Sequence, residues 1–535
     1  MTMKKIIARS VILLLLNAIM LCRAATLTVT STADSGVGTL RQAILDANAD
    51  TSPDDVAIEF NIPGPGVQTI TPLSGLPAVT RTVTIGGYTQ PGASPNTLAN
   101  SDNAVLLIEL SGANLSAGSI GLLIKANDCT VRGLVINRFT AGIWVDYYYD
   151  NAVIEGNFMG TDATGTTALP NFQAIAMAGS GHRVGGLTPG SRNIVSGNVY
   201  GMTLGTRTEV FGNYVGVGSD GATAVPNTFG IFVHNTSQNR IGGPAPGARN
   251  VISANANGIW INNFGGNFIQ GNFIGTDASG TLRRGNSSGI VLNEAPHTLI
   301  GGTGAGEGNL ISGNLGQGVA ITGFYATSNV VAGNLIGTDV TGTSTLGNGN
   351  YGVLLGGIGN LIGGSNSNAR NVITGSGTGV FAGAGSTKNA VLGNSIFGNG
   401  IGIDLGSFSP ASFGPTPNDA SDADDGANHY QNFPDITSVK LAGRNLKVDY
   451  LVDSAAANSV YPLTVEFFIA DGDQGRTFIH RVNYSTPQAA ANIVFKPAVL
   501  PAVGDQIVST ATDANGNTSE FSTPIAVTRN GQGGN

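Results

Sequence analysis

The stretch Gly156-Asn157-Phe158-Met159-Gly160-Thr161-Asp162 returns as Gly271-Asn272-Phe273-Ile274-Gly275-Thr276-Asp277 and again as Gly333-Asn334-Leu335-Ile336-Gly337-Thr338-Asp339. A degenerate copy begins at Gly212-Asn213 and a remnant at Gly393-Asn394-Ser395-Ile396. Two other signatures keep the same spacing. One is Val184-Gly185-Gly186, Ile241-Gly242-Gly243, Ile300-Gly301-Gly302 and Ile362-Gly363-Gly364. The other begins at Asn193 (NIVSGN), Asn250 (NVISAN), Asn309 (NLISGN) and Asn371 (NVITG), with starts 57, 59 and 62 residues apart. Three signatures on one period define four repeats of about 59 residues from about residue 140.

Within a period the apolar pattern is that of short strands. Runs such as Gly258-Ile259-Trp260-Ile261 and Gly289-Ile290-Val291-Leu292 alternate, Gly or Asn interrupts every few residues, and no segment offers ten residues at helical spacing. The pattern predicts a parallel β-solenoid, each period holding about three coils of ~20 residues. Gly and Asn suit the corners because they adopt left-handed backbone at least cost. Asn repeated at one corner can stack as an amide ladder, so the recurring Asn, Gly and Arg (Arg192, Arg249, Arg370) read first as structural. The solenoid is expected over about 55–406, with 15–17 coils and a length near 75 Å at ~4.8 Å per coil.

Composition excludes several classes. Of 535 residues 80 are Gly and 11% are charged, while 41% are hydrophobic, enough for a folded core. Gly follows no collagen period. With 25 basic against 33 acidic residues and no basic run after residue 9, nucleic acid and anionic membrane surfaces are not expected partners. Lys4, Lys5 and Arg9 precede the apolar stretch Val11–Met20, and Cys22-Arg23-Ala24 fits signal peptidase, so residues 1–24 read as a signal peptide. That stretch is too short to span a membrane, and Leu21 before Cys22 departs from a lipoprotein signal. The expected location is secreted or cell-surface, with no membrane insertion after cleavage. Cys129, the remaining thiol, reads as a buried small hydrophobe.

These repeats resemble the secreted bacterial right-handed parallel β-helix repeat proteins of the pectin-lyase-like superfamily, over about 140–405. The opening agrees: Thr26-Leu27-Thr28-Val29-Thr30 and then Gly38-Thr39-Leu40-Arg41-Gln42-Ala43-Ile44 are similar to that family's usual Cys-Ser-Leu-Arg-Glu-Ala-Ile start, without the Cys and with Gln42 for the Glu. Physically, residues 25–54 are a strand and one amphipathic helix with Leu40, Ile44 and Ala47 on one face, a lid for the solenoid's open end. The resemblance implies a fold class that is all-β, a right-handed parallel β-helix with a short capping helix. It carries no single activity.

After Gly406 the repeat stops. Residues 407–434 are rich in Pro, Asp, Ser and Asn and read as an acidic linker. From 435 to 528 alternation is two-residue, with Leu446, Val448, Tyr450 and Val452 on one face and Val465, Phe467 and Ile469 on another. About seven strands in that span predict an immunoglobulin-like β-sandwich without a disulfide. Residues 529–535 read as a disordered tail. In the linker, Asp419, Asp422, Asp424, Asp425 and Asn428 could supply oxygen ligands to Ca²⁺ where the two bodies meet, or could be a solvated hinge.

Enzymes of the resembling fold that cut acidic polysaccharides use Lys or Arg beside Ca²⁺-binding carboxylates, or paired Asp. Of seven Lys only Lys125 and Lys388 fall in the solenoid; Gly181-His182-Arg183 and Asp424-Asp425 are partial echoes of a hydrolase set. Lone candidates are Asp146, Glu155, Glu209, His234, Glu294 and His297. Aligning Gly142-Ile143-Trp144, Gly201-Met202-Thr203, Gly258-Ile259-Trp260, Gly318-Val319-Ala320 and Gly379-Val380-Phe381 places the third residue of each outward in one column. Trp144, Trp260 and Phe381, with Tyr147 beside Trp144, are the predicted carbohydrate-binding residues, unless the loop 161–171 covers them. Trp144 and Trp260 should lie about 29 Å apart, six coils of ~4.8 Å. The expected function is a structural, glycan-binding or adhesive module meeting an extracellular polysaccharide or cell-surface glycan. The alternative is a polysaccharide lyase or glycoside hydrolase on the same scaffold.

Overall fold

A computed structural model describes residues 25–53, 55–406 and 414–529. The predicted signal peptide, the first seven linker residues and residues 530–535 of the predicted tail lie outside them; Arg529 ends a strand, Ile525–Arg529. Three long parallel sheets of 13, 12 and 11 strands wind as a parallel β-helix. In each sheet successive rungs come from successive coils. Ile154, Val184, Val210, Ile241, Ile269 and Ile300 stack in register inside the 13-stranded sheet, none more than 1% exposed. In the 11-stranded sheet the residue after each Gly points inward as predicted: Ile143, Met202, Ile259, Val319 and Val380 are wholly buried. These glycines are dictated by close approach, since a Cβ on Gly258 would stand 2.6 Å from the Gly289 carbonyl oxygen of the next rung.

The coil count differs from expectation. Trp144, Ala176, Thr203, Phe232 and Trp260 are consecutive partners in the 11-stranded sheet. The ~59-residue period therefore holds two coils of about 29 residues, because each coil carries three strands and three corner segments. The Gly-Asn-x-Ile-Gly-Thr-Asp and Asn-x-Ile-Ser-Gly-Asn signatures are alternate rungs of the same 12-stranded sheet, as Phe158 pairs with Ile194. Thirteen rungs at ~4.8 Å give a rod of about 58 Å instead of 75 Å.

Three Asn ladders hold the corners. The longest runs Asn157, Asn193, Asn213, Asn250, Asn272, Asn309, Asn334, Asn371 and Asn394, each Nδ2 donating to the next Oδ1 at 2.8–3.2 Å. A second runs from Asn171 through Asn198, Asn227, Asn255, Asn286 and Asn314 to Asn348. In the third, His182, Thr208 and Thr298 share the column with Asn239, Asn267, Asn329, Asn360 and Asn389. In the two unbroken ladders each side-chain carbonyl accepts the buried corner amide of the preceding rung; the third is interrupted at Thr208 and Thr298.

Both ends are closed. Ala25–Val29 is the first rung itself, paired in parallel with Val56–Phe60. Helix α1, Leu40–Ala49, is capped by the Thr39 side chain, which accepts from the Gln42 amide, and buries Leu40, Ala43, Ile44 and Ala47 against that rung. The C-terminal strands form a seven-stranded sheet of mixed direction: Asp435–Ala442 pairs antiparallel with Asn445–Leu451 and parallel with Ile525–Arg529. Leu446, Val448, Tyr450, Val452, Val465 and Phe467 share its own core, with the Tyr450 and Phe467 rings 5.4 Å apart. This unit also stoppers the solenoid. Phe468, Val508 and Phe521 enter the solenoid core. Glu466 accepts from the Gly393 amide, Thr518 from Val391, Asn517 from Lys388 and Glu520 from Leu405, all at 2.7–2.9 Å. Open strand ends that would template another chain are thereby paired. No helix of the described residues is long and apolar enough to cross a membrane.

Candidate functional site

The outer face of the 11-stranded sheet carries the aromatic cluster. Tyr200 and Phe229 are partners on adjacent rungs, their rings parallel at 5.0 Å. Phe172 meets Tyr200 edge-on at 5.6 Å, Phe229 lies 5.4 Å from Phe232 and 5.9 Å from Trp260, and Phe232 stacks on His234 at 5.6 Å. Pleating turns Phe232 and His234 to the face opposite the inward Ile231 and Val233, Phe229 stands at the start of the strand before Gly230, and parallel register repeats the placement on each rung. Phe172 is 51% exposed, and Tyr200, Phe229, Phe232 and Trp260 are half-buried. Beside them runs a strip of amides, with Asn293 Nδ2 donating to Asn262 Oδ1 at 2.7 Å and Asn262 bonded to His234 at 3.0 Å.

Of the four predicted binding residues, Trp260 belongs to this cluster. Trp144 is half-buried four rungs away, about 19 Å at ~4.8 Å per rung instead of 29 Å, because each period holds two coils and not the three expected. Tyr147 is exposed at the neighbouring corner. Phe381 corrects the expectation: it is wholly buried in an apolar row with Val291, Ala320 and Leu354, 5.1 Å from the Tyr351 ring. The loop 161–171 does not cover the tryptophan column; it folds over the 12-stranded sheet, where a Cβ on Gly165 would lie 3.1 Å from the Phe158 ring. The pattern Phe229-Gly230-Ile231-Phe232 repeats the aligned motif and was the signal for the missed rung.

The catalytic echoes disperse. His182 is a buried ladder member, accepting from the Ala152 amide, and burial lowers its pKa. Lys125 pairs with Asp146 at 3.2 Å and Glu155 with Arg183 at 3.1 Å. Glu209 stands in register between Arg183 and Arg240 and shares a hollow with Arg207, but no second carboxylate lines that hollow to make an acid–base pair.

The linker is, over its described residues, packed into the junction. Asn428 ends the third ladder, accepting from the Asn389 amide at 3.0 Å and donating to the Asn389 and Thr518 carbonyls. Its side chain is thus occupied away from any metal, and Asp425 pairs with His429 at 2.9 Å. Asp419, Asp422 and Asp424 do converge, with ligand oxygens within 4.8 Å. Asp422, buried, already accepts from Gln431, the Asn432 amide, Ser454 and Ser459, while burial and the neighbouring Asp419 and Asp422 charges raise Asp424. These three oxygen donors have the chemistry of a Ca²⁺ site, short of the six to eight ligands the ion takes.

No protein-family model matches this chain, and no curated protein is similar to it.

Proposed function

We propose that this chain is a secreted or cell-surface bacterial protein, a right-handed β-helix of pectin-lyase-like type ending in an immunoglobulin-like module, that binds an extracellular polysaccharide or cell-surface glycan. The observation that carries the reading is the continuous cluster from Phe172 to Trp260. Half-exposed rings on a flat sheet cost apolar hydration unless something covers them. A pyranose fits, with its C–H face on the rings and its hydroxyls on the Asn262 and Asn293 amides. The cluster spans three rung steps, about 14 Å, so several sugar units of an extended chain can lie along the rod axis.

The test is affinity electrophoresis through gels of different polysaccharides, together with an assay for new reducing or unsaturated ends. Phe172→Ala and Phe232→Ala change exposed and half-exposed rings and should weaken retention about tenfold each, with thermal midpoints nearly unchanged. Trp260 also packs on the buried row of Val291 and Phe381, so its loss should lower both retention and stability. Retention indifferent to these rings would overturn the reading. New chain ends would mark the lyase or hydrolase alternative.

A further inference from the structure

A second site lies on a different face. Arg192 lies over the Tyr214 ring at 4.2 Å and Arg249 over Phe273 at 4.1 Å, each guanidinium capping the aromatic of the next rung on the outside of the 12-stranded sheet. Arg192 is fully engaged: Nε donates to the Gly212 carbonyl at 3.2 Å and the terminal nitrogens donate to the carbonyls of Leu98, Ala99 and Ser101. Arg370 donates to the Gly393 carbonyl at 3.1 Å and lies 6.0 Å from the Phe478 ring. The Arg249 guanidinium has neither hydrogen bond nor ion pair among the described residues, and its Nε is buried without a partner. Burial lowers its pKa with no nearby carboxylate to offset the cost.

The next repeat explains the vacancy beside it. Where the two preceding repeats carry Arg and an aromatic, it carries Gly308 and Leu335. The missing volume is a hollow of about 510 Å³ lined by Arg249, Phe273, Gly308, Leu310, Leu335 and Val340. On its other side Arg249 borders a second hollow, about 240 Å³, with Leu187, Pro246 and Tyr214, whose buried hydroxyl also lacks a partner. An unpaired guanidinium stands between a smaller hollow walled mainly by apolar atoms and a larger one walled by apolar side chains together with glycine backbone, Asn309 and Asn368. An oxoanion satisfies the fork, and a sugar ring offers its carbon face to the apolar walls and its hydroxyls to the polar ones.

We propose that the groove centred on Arg249 binds a singly charged oxoanion, a carboxylate or a sulfate half-ester, carried on a sugar-sized ring. This site is separate from the aromatic cluster and does not rest on it.

The experiment is calorimetric titration of the full chain with glucuronate, glucose 6-sulfate, uncharged glucose and inorganic sulfate. One or both charged sugars should bind, telling carboxylate from sulfate ester, with glucose and inorganic sulfate at least tenfold weaker. Arg249→Met keeps the stem on Phe273 and should weaken the charged sugars about tenfold to hundredfold. Arg249→Lys, which keeps charge without the fork, should fall between and serves if the Met variant does not fold. Phe172→Ala should leave this binding unchanged even if polysaccharide retention fails. Absence of binding by both charged sugars, equal binding of glucose or inorganic sulfate, or unchanged binding by both Arg249 variants would overturn the proposal.

Discussion

Asn250→Ala removes one rung from the middle of the longest ladder. In the wild type, Asn250 Oδ1 accepts from the Asn213 amide at 3.0 Å and from Asn213 Nδ2 at 3.1 Å, while its Nδ2 donates to the Val210 carbonyl at 2.8 Å and Asn272 Oδ1 at 2.9 Å. After truncation Asn213 Nδ2 keeps the Val184 and Phe211 carbonyls, and Asn272 Oδ1 keeps the Asn250 amide. The Asn213 backbone N–H loses its acceptor and the Val210 carbonyl its side-chain donor, both inside a corner where Asn213 and Asn250 have no exposure. At roughly 1–3 kcal/mol for each buried group left unmade, the loss is about 2–6 kcal/mol. Both tryptophans lie in the solenoid, so their fluorescence during urea unfolding reports that unit and not the C-terminal sheet. Leu315→Ala, at a 70% exposed position, is the control and should stay within about 0.5 kcal/mol. A loss below about 1 kcal/mol for Asn250→Ala would refute the ladder as a source of stability and show that water replaces it freely.

The junction should respond to pH. Burial pushes Glu520 up to about 8 and Asp404 up to about 6, the two charges opposing each other. Both bind protons more tightly folded than unfolded, so the stability they confer is whole below about pH 4 and is lost as pH rises, through about 6 for Asp404 and about 8 for Glu520. Thermal midpoints between pH 5 and 8.5 should fall accordingly, and Glu520→Gln should flatten the upper part of that fall. Cys129 is 1% exposed and burial raises its thiol to about 11, so a thiol reagent should label it only on unfolding, and labelling of the native chain at a peptide rate would contradict that burial. Millimolar Ca²⁺ should slow proteolysis between Ser407 and Pro434 relative to chelator if Asp419, Asp422 and Asp424 bind it; equal rates remove the metal.

What the sequence determined is what local pattern encodes. Two-residue alternation with Gly or Asn at corners specifies short strands, and identical signatures on one period can bury their apolar faces only by stacking. Parallel sheets, inward Ile143 and Ile259, Asn ladders, the α1 face and the alternation from Leu446 to Val452 were legible for that reason. Coil count was not. Strands such as Phe158–Met159 and Ile194–Val195 are two residues long, below what periodicity can separate, and only pairing shows them to be rungs of one sheet. The same missing rungs hid Phe229 and Phe232 from the aromatic column. Burial of Phe381, the loss of Asn428 to a ladder and the plugging of the last rung by Glu466, Thr518 and Glu520 depend on segments up to 127 residues apart. Those contacts follow from which surfaces meet after the chain has wound, and no local spacing records them. The open state of Arg249 is the sharpest case. In sequence it is one of three equivalent repeat arginines, and only the loops and rungs packed around each decide which guanidinium is left without a partner.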